Sequence, residues 1–187
     1  MNAYEIITSR RTIRKFKQQR ISEEVLMKLI DSARLAPSGA NKQPLRYRIV
    51  AEAEQVKTIQ ESVKWAAMIS PNGNPSEDEQ PVAFIVLLVD TNVSKAGYEL
   101  ELGAAAQNIM LAAWSEGIGS CWLGNIDRKK IIETLNLPER YILNTVIALG
   151  YPLEEPLVEN VNDSLKYYKD GAGVLHVPKL SLEDVLV

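Results

Sequence analysis

Apolar residues at Val25, Leu26, Leu29, Ile30 and Ala33 recur at helical spacing and predict an amphipathic helix. Ser22 supplies its N-cap, Glu23 and Glu24 place acids in its first turn, and Pro37 stops it. Ahead of it, Asn2 can cap a short helix that ends near Arg10 and Arg11. "SGANKQP" reads as a loop, and "LRYRIVA" (45–51) alternates as a strand. A helix follows over 53–68, with Val56, Ile59 and Val63 on one side. "SPNGNPSEDEQP" is a polar loop long enough to form a lid. "VAFIVLLVD" is continuously apolar, the pattern of a strand buried on both faces.

"ELELGAAAQNIMLAAWSEG" predicts the strongest helix, with Gly117 at the C-cap position. It is apolar on most sides, which places it in the centre of the fold or against a second copy of the chain. A short strand "GSCWLG" follows; Asp127 then caps "RKKIIETLNL", which Pro138 ends. "NTVIALGYP" reads as a buried strand. From 152 onward the chain is polar and irregular until Ser181 caps a last turn, "LEDVLV". With no repeat, low-complexity tract or linker, residues 1–187 read as a single α+β domain with a long C-terminal arm.

Composition narrows the class. The 187 residues are 46% hydrophobic and 24% charged, values of a soluble globular domain. Cys121 is the only cysteine and His176 the only histidine, so neither an intrachain disulfide nor a Cys/His zinc site can form. The N-terminus lacks the apolar core of a signal peptide, and "VAFIVLLV" is too short for a membrane helix. These features predict a cytoplasmic protein with no membrane partner.

Charge raises a sharper question. The net charge is −3, yet "SRRTIRKFKQQR" (9–20) holds six cations and no acid. Arg10 and Arg14 are four apart and fall on one side of a turn; guanidinium groups grip phosphate bidentately, and Thr12 adds a hydroxyl. A solvated charged surface is an equal alternative. A nucleic-acid arm fits poorly with a pI near 5.4 and with Phe16 as the sole stacking residue. "APSGANKQP" presents Ser38, Asn41 and Gln43, whose groups suit the edge of a heterocycle, although an ordinary helix-terminating loop is the better reading of these residues alone. "GIGSCWLGN" fails the dinucleotide fingerprint at Trp122 and follows a helix rather than a strand. Cys121, in an apolar strand, reads as a buried inert thiol, and His176 as a packed or surface residue without metal partners. No spacing of acids singles out an acid/base pair.

"SRRTIRKF", "APSGANKQP", "GAAAQNIMLAAWSEGIGSCWLG", "ALGYP" and "HVPK" with "LEDVL" occur in one order. That order resembles the FMN-dependent nitroreductase family, in particular members with a C-terminal HVPK-type motif, and the likeness runs from Arg10 to Val185. It implies an α+β sandwich with a central, mainly antiparallel sheet flanked by helices, and a C-terminal arm reaching the partner subunit. It implies a homodimer with FMN at the interface. By resemblance, Arg10, Arg11, Thr12 and Arg14 hold the phosphate and ribityl chain, and Lys179 completes the phosphate clamp. Pro37, Ser38, Gly39 and Asn41 approach the flavin from the partner, while Trp122, Leu123 and Gly124 lie along the ring. Lys64 stands for the polar or basic residue that meets the pyrimidine side. Leu180 replaces a second basic residue common after that motif, so the clamp has one charge fewer. The Glu that better-known bacterial members carry near "WLGN" is missing, and the positioning role tied to it does not transfer.

The implied activity is hydride transfer from NADH or NADPH through the flavin to a nitroaromatic, quinone or similar small acceptor, by a ping-pong mechanism. Other FMN chemistry on this fold (dehalogenation, enoate reduction, flavin breakdown) stays open, as does a non-enzymatic phosphate or nucleic-acid binder.

Overall fold

The caps written in the sequence set the helix boundaries. In the computed structural model, which describes residues 1–69, 73–161 and 163–187, Asn2 and Glu5 close a reciprocal capping box at the start of α1 (Ala3–Ser9). A two-residue strand β1 (Phe16–Lys17) follows, then α2 (Glu23–Arg34), where the Ser22 hydroxyl accepts from the Val25 amide. β2 (Leu45–Val50) leads to α3 (Ala53–Glu61), and β3 (Ala83–Asp90) to α4 (Glu99–Ser115). β4 (Gly119–Leu123), α5 (Arg128–Leu135) capped by Asp127, and β5 (Tyr141–Pro152) complete the main body.

All strand pairs of the main sheet are antiparallel, in the order β1-β5-β3-β2 with β4 also on β5. β3 is buried throughout. Phe84, Val86 and Leu88 face a core with Val56 and Ile59 of α3 and Ile131 and Leu135 of α5. Ile85 and Leu87 face α2 and α4, which bring Leu29, Ala105 and Ile109. Two helical layers therefore sandwich one sheet, each burying one side of the strand alternation. β3 and β5 slip by one residue at Leu87/Leu88, leaving Asn144 as the extra residue of a bulge.

Two expectations change. The helix over 53–68 stops at Glu61, because Ser62 turns its hydroxyl back to the Thr58 carbonyl (2.7 Å) and Val63 leaves to pair with Ile126. The tail is not irregular. β6 (Leu157–Asn160) runs parallel to β8 (Leu175–Lys179), and β7 (Tyr168–Lys169) pairs with β8 in the opposite sense, before Ser181 caps α6 (Leu182–Val185). His176 locks this small sheet. Its Nδ1 lies 2.9 Å from Glu159 Oε2 and its Nε2 3.3 Å from Asp170 Oδ2, with the ring stacked on Tyr168 at 4.8 Å. The hydrogen bond with Glu159, then that with Asp170, raises its pKa above the ordinary value. Residues 70–72 of the expected lid lie outside the described residues. The loop's later part is tied down, since Glu79 pairs with Lys15 Nζ at 2.8 Å and the Gln80 carbonyl accepts from Gln18.

Candidate functional site

The basic segment lies on the sheet because two glycines make room for it. Gly119 and Gly150 face each other across β4 and β5. A Cβ on Gly119 would come within 2.7 Å of Ile13, and one on Gly150 within 2.8 Å of Phe16. Ile13 and Phe16 are fully buried in that space. Thr12 pairs with Ser120, the Ile13 amide donates to the Ser120 carbonyl (2.9 Å), and the Arg14 amide donates to Glu154 Oε1 (2.6 Å).

This anchoring aims the arginines with little to neutralise them. The Arg14 guanidinium lies 5.2 Å from the Tyr167 ring centroid, and Arg11 donates to the Arg10 carbonyl. Burial, and for Arg10 also the neighbouring Arg11 charge, lowers the pKa of both Arg10 and Arg11. Arg10 Nε, Arg14 Nε and Ser120 Oγ are buried without a hydrogen-bond partner among the described residues. Orphaned donors of this kind cost free energy unless a ligand satisfies them, and a multivalent anion such as a phosphate fits the set.

Further along β4, Trp122 is 41% exposed while Leu123 is buried. The Trp122 indole N–H donates to Thr145 Oγ1 (2.8 Å), which in turn donates to the Leu123 carbonyl (2.6 Å). The bulge at Asn144 phases Thr145 toward this corner. A Cβ on Gly124 would meet nothing within 4 Å, so the space beside this turn is open. The Lys64 amide donates to the Asn125 carbonyl (3.0 Å), and the Lys64 side chain is exposed next to it. Thr145 was not among the sequence candidates; a lone polar residue within "NTVIALG" was its one signal. Thr145→Val keeps the shape but unpairs two groups, so stability should fall by about 1–3 kcal/mol, as denaturant unfolding would show.

The structure thus gathers Arg10, Arg11, Thr12, Arg14, Trp122, Leu123, Gly124 and Lys64 around β4. It does not bring the Pro37–Asn41 loop to them. Ser38 and Gly39 bond to Glu101 in the first turns of α4. At the opposite end of that helix, Trp114 Nε1 donates to Ser9 Oγ (2.8 Å), next to Arg10. The two ends are about 20 Å apart at 1.5 Å per residue. Lys179 is exposed at the end of β8, its carbonyl accepting from the Val161 amide, and among the described residues no hydrogen bond joins it to the arginines. Cys121 is buried, and burial pushes its thiol up to about 11. Among the described residues, no group of three or more His, Cys, Asp or Glu could hold a metal ion, and no helix is long and apolar enough to cross a membrane.

Comparison with known proteins places this architecture. A protein of Archaeoglobus fulgidus named "Putative NADH dehydrogenase/NAD(P)H nitroreductase" is 36% identical over 157 residues, covering 80% of this chain and 85% of that one. A crystal structure from Parabacteroides distasonis under the same name superposes with a TM-score of 0.72 at 28% identity, over 91% of this chain and 99% of that one. A structure from Clostridium difficile, named an FMN-dependent nitroreductase, superposes at 0.67 with 26% identity, over 86% and 92%. The family model described as Nitroreductase family matches residues 7–151, a span that takes in the arginines, the Pro37–Asn41 loop and all five strands of the main sheet but for the last residue of β5, and the chain belongs to that family.

Proposed function

We propose that the protein is an FMN-dependent oxidoreductase that takes reducing equivalents from NADH or NADPH and delivers them to a nitroaromatic, quinone or similar small acceptor. The observation that carries this reading is the set of buried, unpaired donors on Arg10 and Arg14 of the basic segment and on Ser120 of β4, the strand that leads to half-exposed Trp122. FMN matches that set, with a phosphate at one end and a planar ring at the other. When bound it supplies the hydride chemistry, and the protein supplies position and charge. Arg10, Arg11, Thr12 and Arg14 would hold the phosphate and ribityl chain. Trp122, fixed by Thr145, would set the plane against which the ring rests, with Leu123 and Gly124 backbone at its edge. Lys64 would place positive charge at the pyrimidine side, where reduction builds negative charge. Donor and acceptor would share the open space beside Gly124 in turn, which predicts ping-pong kinetics.

The working unit in this reading is a homodimer. Within one chain the Pro37–Asn41 loop and the arginines sit at opposite ends of α4, so both can touch one flavin only if they come from different subunits. Tyr4 and Ile7 of α1 and Leu100 of α4 are large exposed apolar residues that a second copy would cover. Lys179 would join the clamp through the C-terminal arm, which already reaches Arg14 through Tyr167.

Incubating the protein with FMN and separating free flavin should leave a bound yellow chromophore. It should bleach anaerobically on adding NADH or NADPH and recover on adding a nitroaromatic or quinone. Protein that retains no flavin would overturn the proposal.

A further inference from the structure

Residues 38–43 form a tight turn whose backbone is costly. Ala40 (φ 49°), Asn41 (φ 55°) and Gln43 (φ 51°) all occupy the left-handed region without being glycine. Each such residue costs roughly 1–3 kcal/mol and persists only where its surroundings hold it. Packing around this turn is incomplete on two sides. A 240 Å³ cavity, reaching Arg34 and Tyr47, lies against Pro37 and Ser38, and a second of 380 Å³, reaching Gly97 and Ala104, lies against Pro37, Ser38 and Gly39. Hydrogen bonds hold it, beginning with the Asn41 amide to the Ser38 carbonyl (2.9 Å) and the Lys42 amide to the Gly39 carbonyl (3.2 Å). Glu101 Oε2 accepts from the Ser38 hydroxyl (2.8 Å) and Oε1 from the Gly39 amide (2.9 Å). The Ser38 oxygen then accepts from the Gln43 amide (2.8 Å), so one carboxylate governs both ends of the turn. Arg46 adds a bond to the Gln43 carbonyl (2.9 Å) at the far end.

We propose that Glu101 is a positioning residue that acts across the dimer, holding the strained 38–43 turn in the shape with which it meets the flavin bound by the other subunit's arginines. The inference rests on the FMN reading above. The carboxylate acts as a double acceptor at the base of α4, and its charge is incidental. Glu101→Gln keeps an oxygen for the Gly39 amide, and the Ser38 hydroxyl can reorient to accept from the new amide. Glu101→Ala leaves the strain opposed only by the turn's own bonds and by Arg46, beside two cavities into which the turn can relax.

Three measurements test this. In flavin-free Glu101→Ala protein, hydrogen exchange at the Gly39 and Gln43 amides should speed up about tenfold or more, with β3 and β5 unchanged. The FMN dissociation constant should rise about ten- to a hundredfold, while Glu101→Gln stays within a few-fold of wild type. Finally, Glu101→Ala chains should be mixed with chains carrying Arg10→Ala and Arg14→Ala. One of the two sites in each mixed dimer then has intact arginines from one chain and an intact turn from the other, so half-stoichiometric FMN binding should return. No recovery on mixing would overturn the action across the dimer, and a Gln variant as weak as the Ala variant would overturn the positioning role in favour of charge. Wild-type binding matched by Glu101→Ala would overturn the inference alone, whereas wild-type protein that binds no FMN would overturn the proposed function and this inference with it.

Discussion

Replacing Arg10 and Arg14 together by alanine should weaken FMN binding by about 10² to 10⁴-fold. Each lost charge-assisted hydrogen bond is worth about 1.5–3 kcal/mol, or roughly ten- to a hundredfold in affinity. The flavin-free protein should not lose comparable stability. The Arg14 amide that anchors the segment to Glu154 is main chain and survives the change. The Arg10 and Arg14 Nε donors are buried without partners, so removing them relieves a desolvation cost. What is given up is the contact of Arg14 with Tyr167, on the order of 0.5–1 kcal/mol, and its interaction with the buried Cys121 thiol. Thermal melts should therefore show an unchanged or raised midpoint without FMN and a much smaller shift on adding it. Flavin titration by fluorescence quenching gives the affinity directly, and an unchanged dissociation constant would remove both arginines from the clamp. Sites that bind by holding unsatisfied charge commonly trade stability for function in this way.

Phe16→Ala should have the largest effect on folding, a loss of about 3–5 kcal/mol. That is a large share of the roughly 5–15 kcal/mol typical of a domain. Phe16 is fully buried and fills the space over Gly150, where its atoms come within 2.8 Å of the position a Cβ would take. The cavity cannot close easily, because the glycine below has no side chain to move into it. Gly150→Ala attacks the same contact from the other side by overpacking, at about 1–3 kcal/mol. Urea unfolding of the two single variants and the double would show their coupling. A double variant less damaged than the sum would fit two halves of one contact, and strict additivity would rule that out. Both variants should also lose FMN, since the segment that carries the arginines lifts from the sheet.

The caps and apolar runs were legible in the sequence because their physics is local. Asn2, Ser22, Asp127 and Ser181 each cap the helix expected of them, and Gly117 takes a positive φ past the end of α4. The end of α3 was not legible, because Val63 has helical spacing and its removal from the helix depends on Ile126, far along the chain. β6 to β8 were missed for a related reason. Their pairing joins short, half-polar segments and is fixed by His176 between Glu159 and Asp170, a clamp no local pattern displays. The bulge at Asn144 broke the alternation of β5, so Leu143 and Val146, three apart, face the same core. In the candidate site the cations and the small-residue loop stood out by residue type. Thr145 and Glu101 did not, since each acts by completing the hydrogen bonds of residues distant in sequence.

The long strand β5 also sets a timetable for the chain as it is made. It binds β1, β3 and β4, and the strap from Arg14 to Glu154 closes over 140 positions. Helices α1 to α4 can form as they emerge from the ribosome, but the sheet they cover has no central partner until residue 152 is out. Long-range pairing of this kind closes late and slowly, after the entropy of a large loop has been spent. The arginine cradle, pinned to β5 through Phe16 and Pro152, must then be among the last parts of the fold to form. Until that moment the nascent chain carries an unanchored basic segment and an apolar β3 with one edge unpaired, a combination that favours prompt release of residues 141–152.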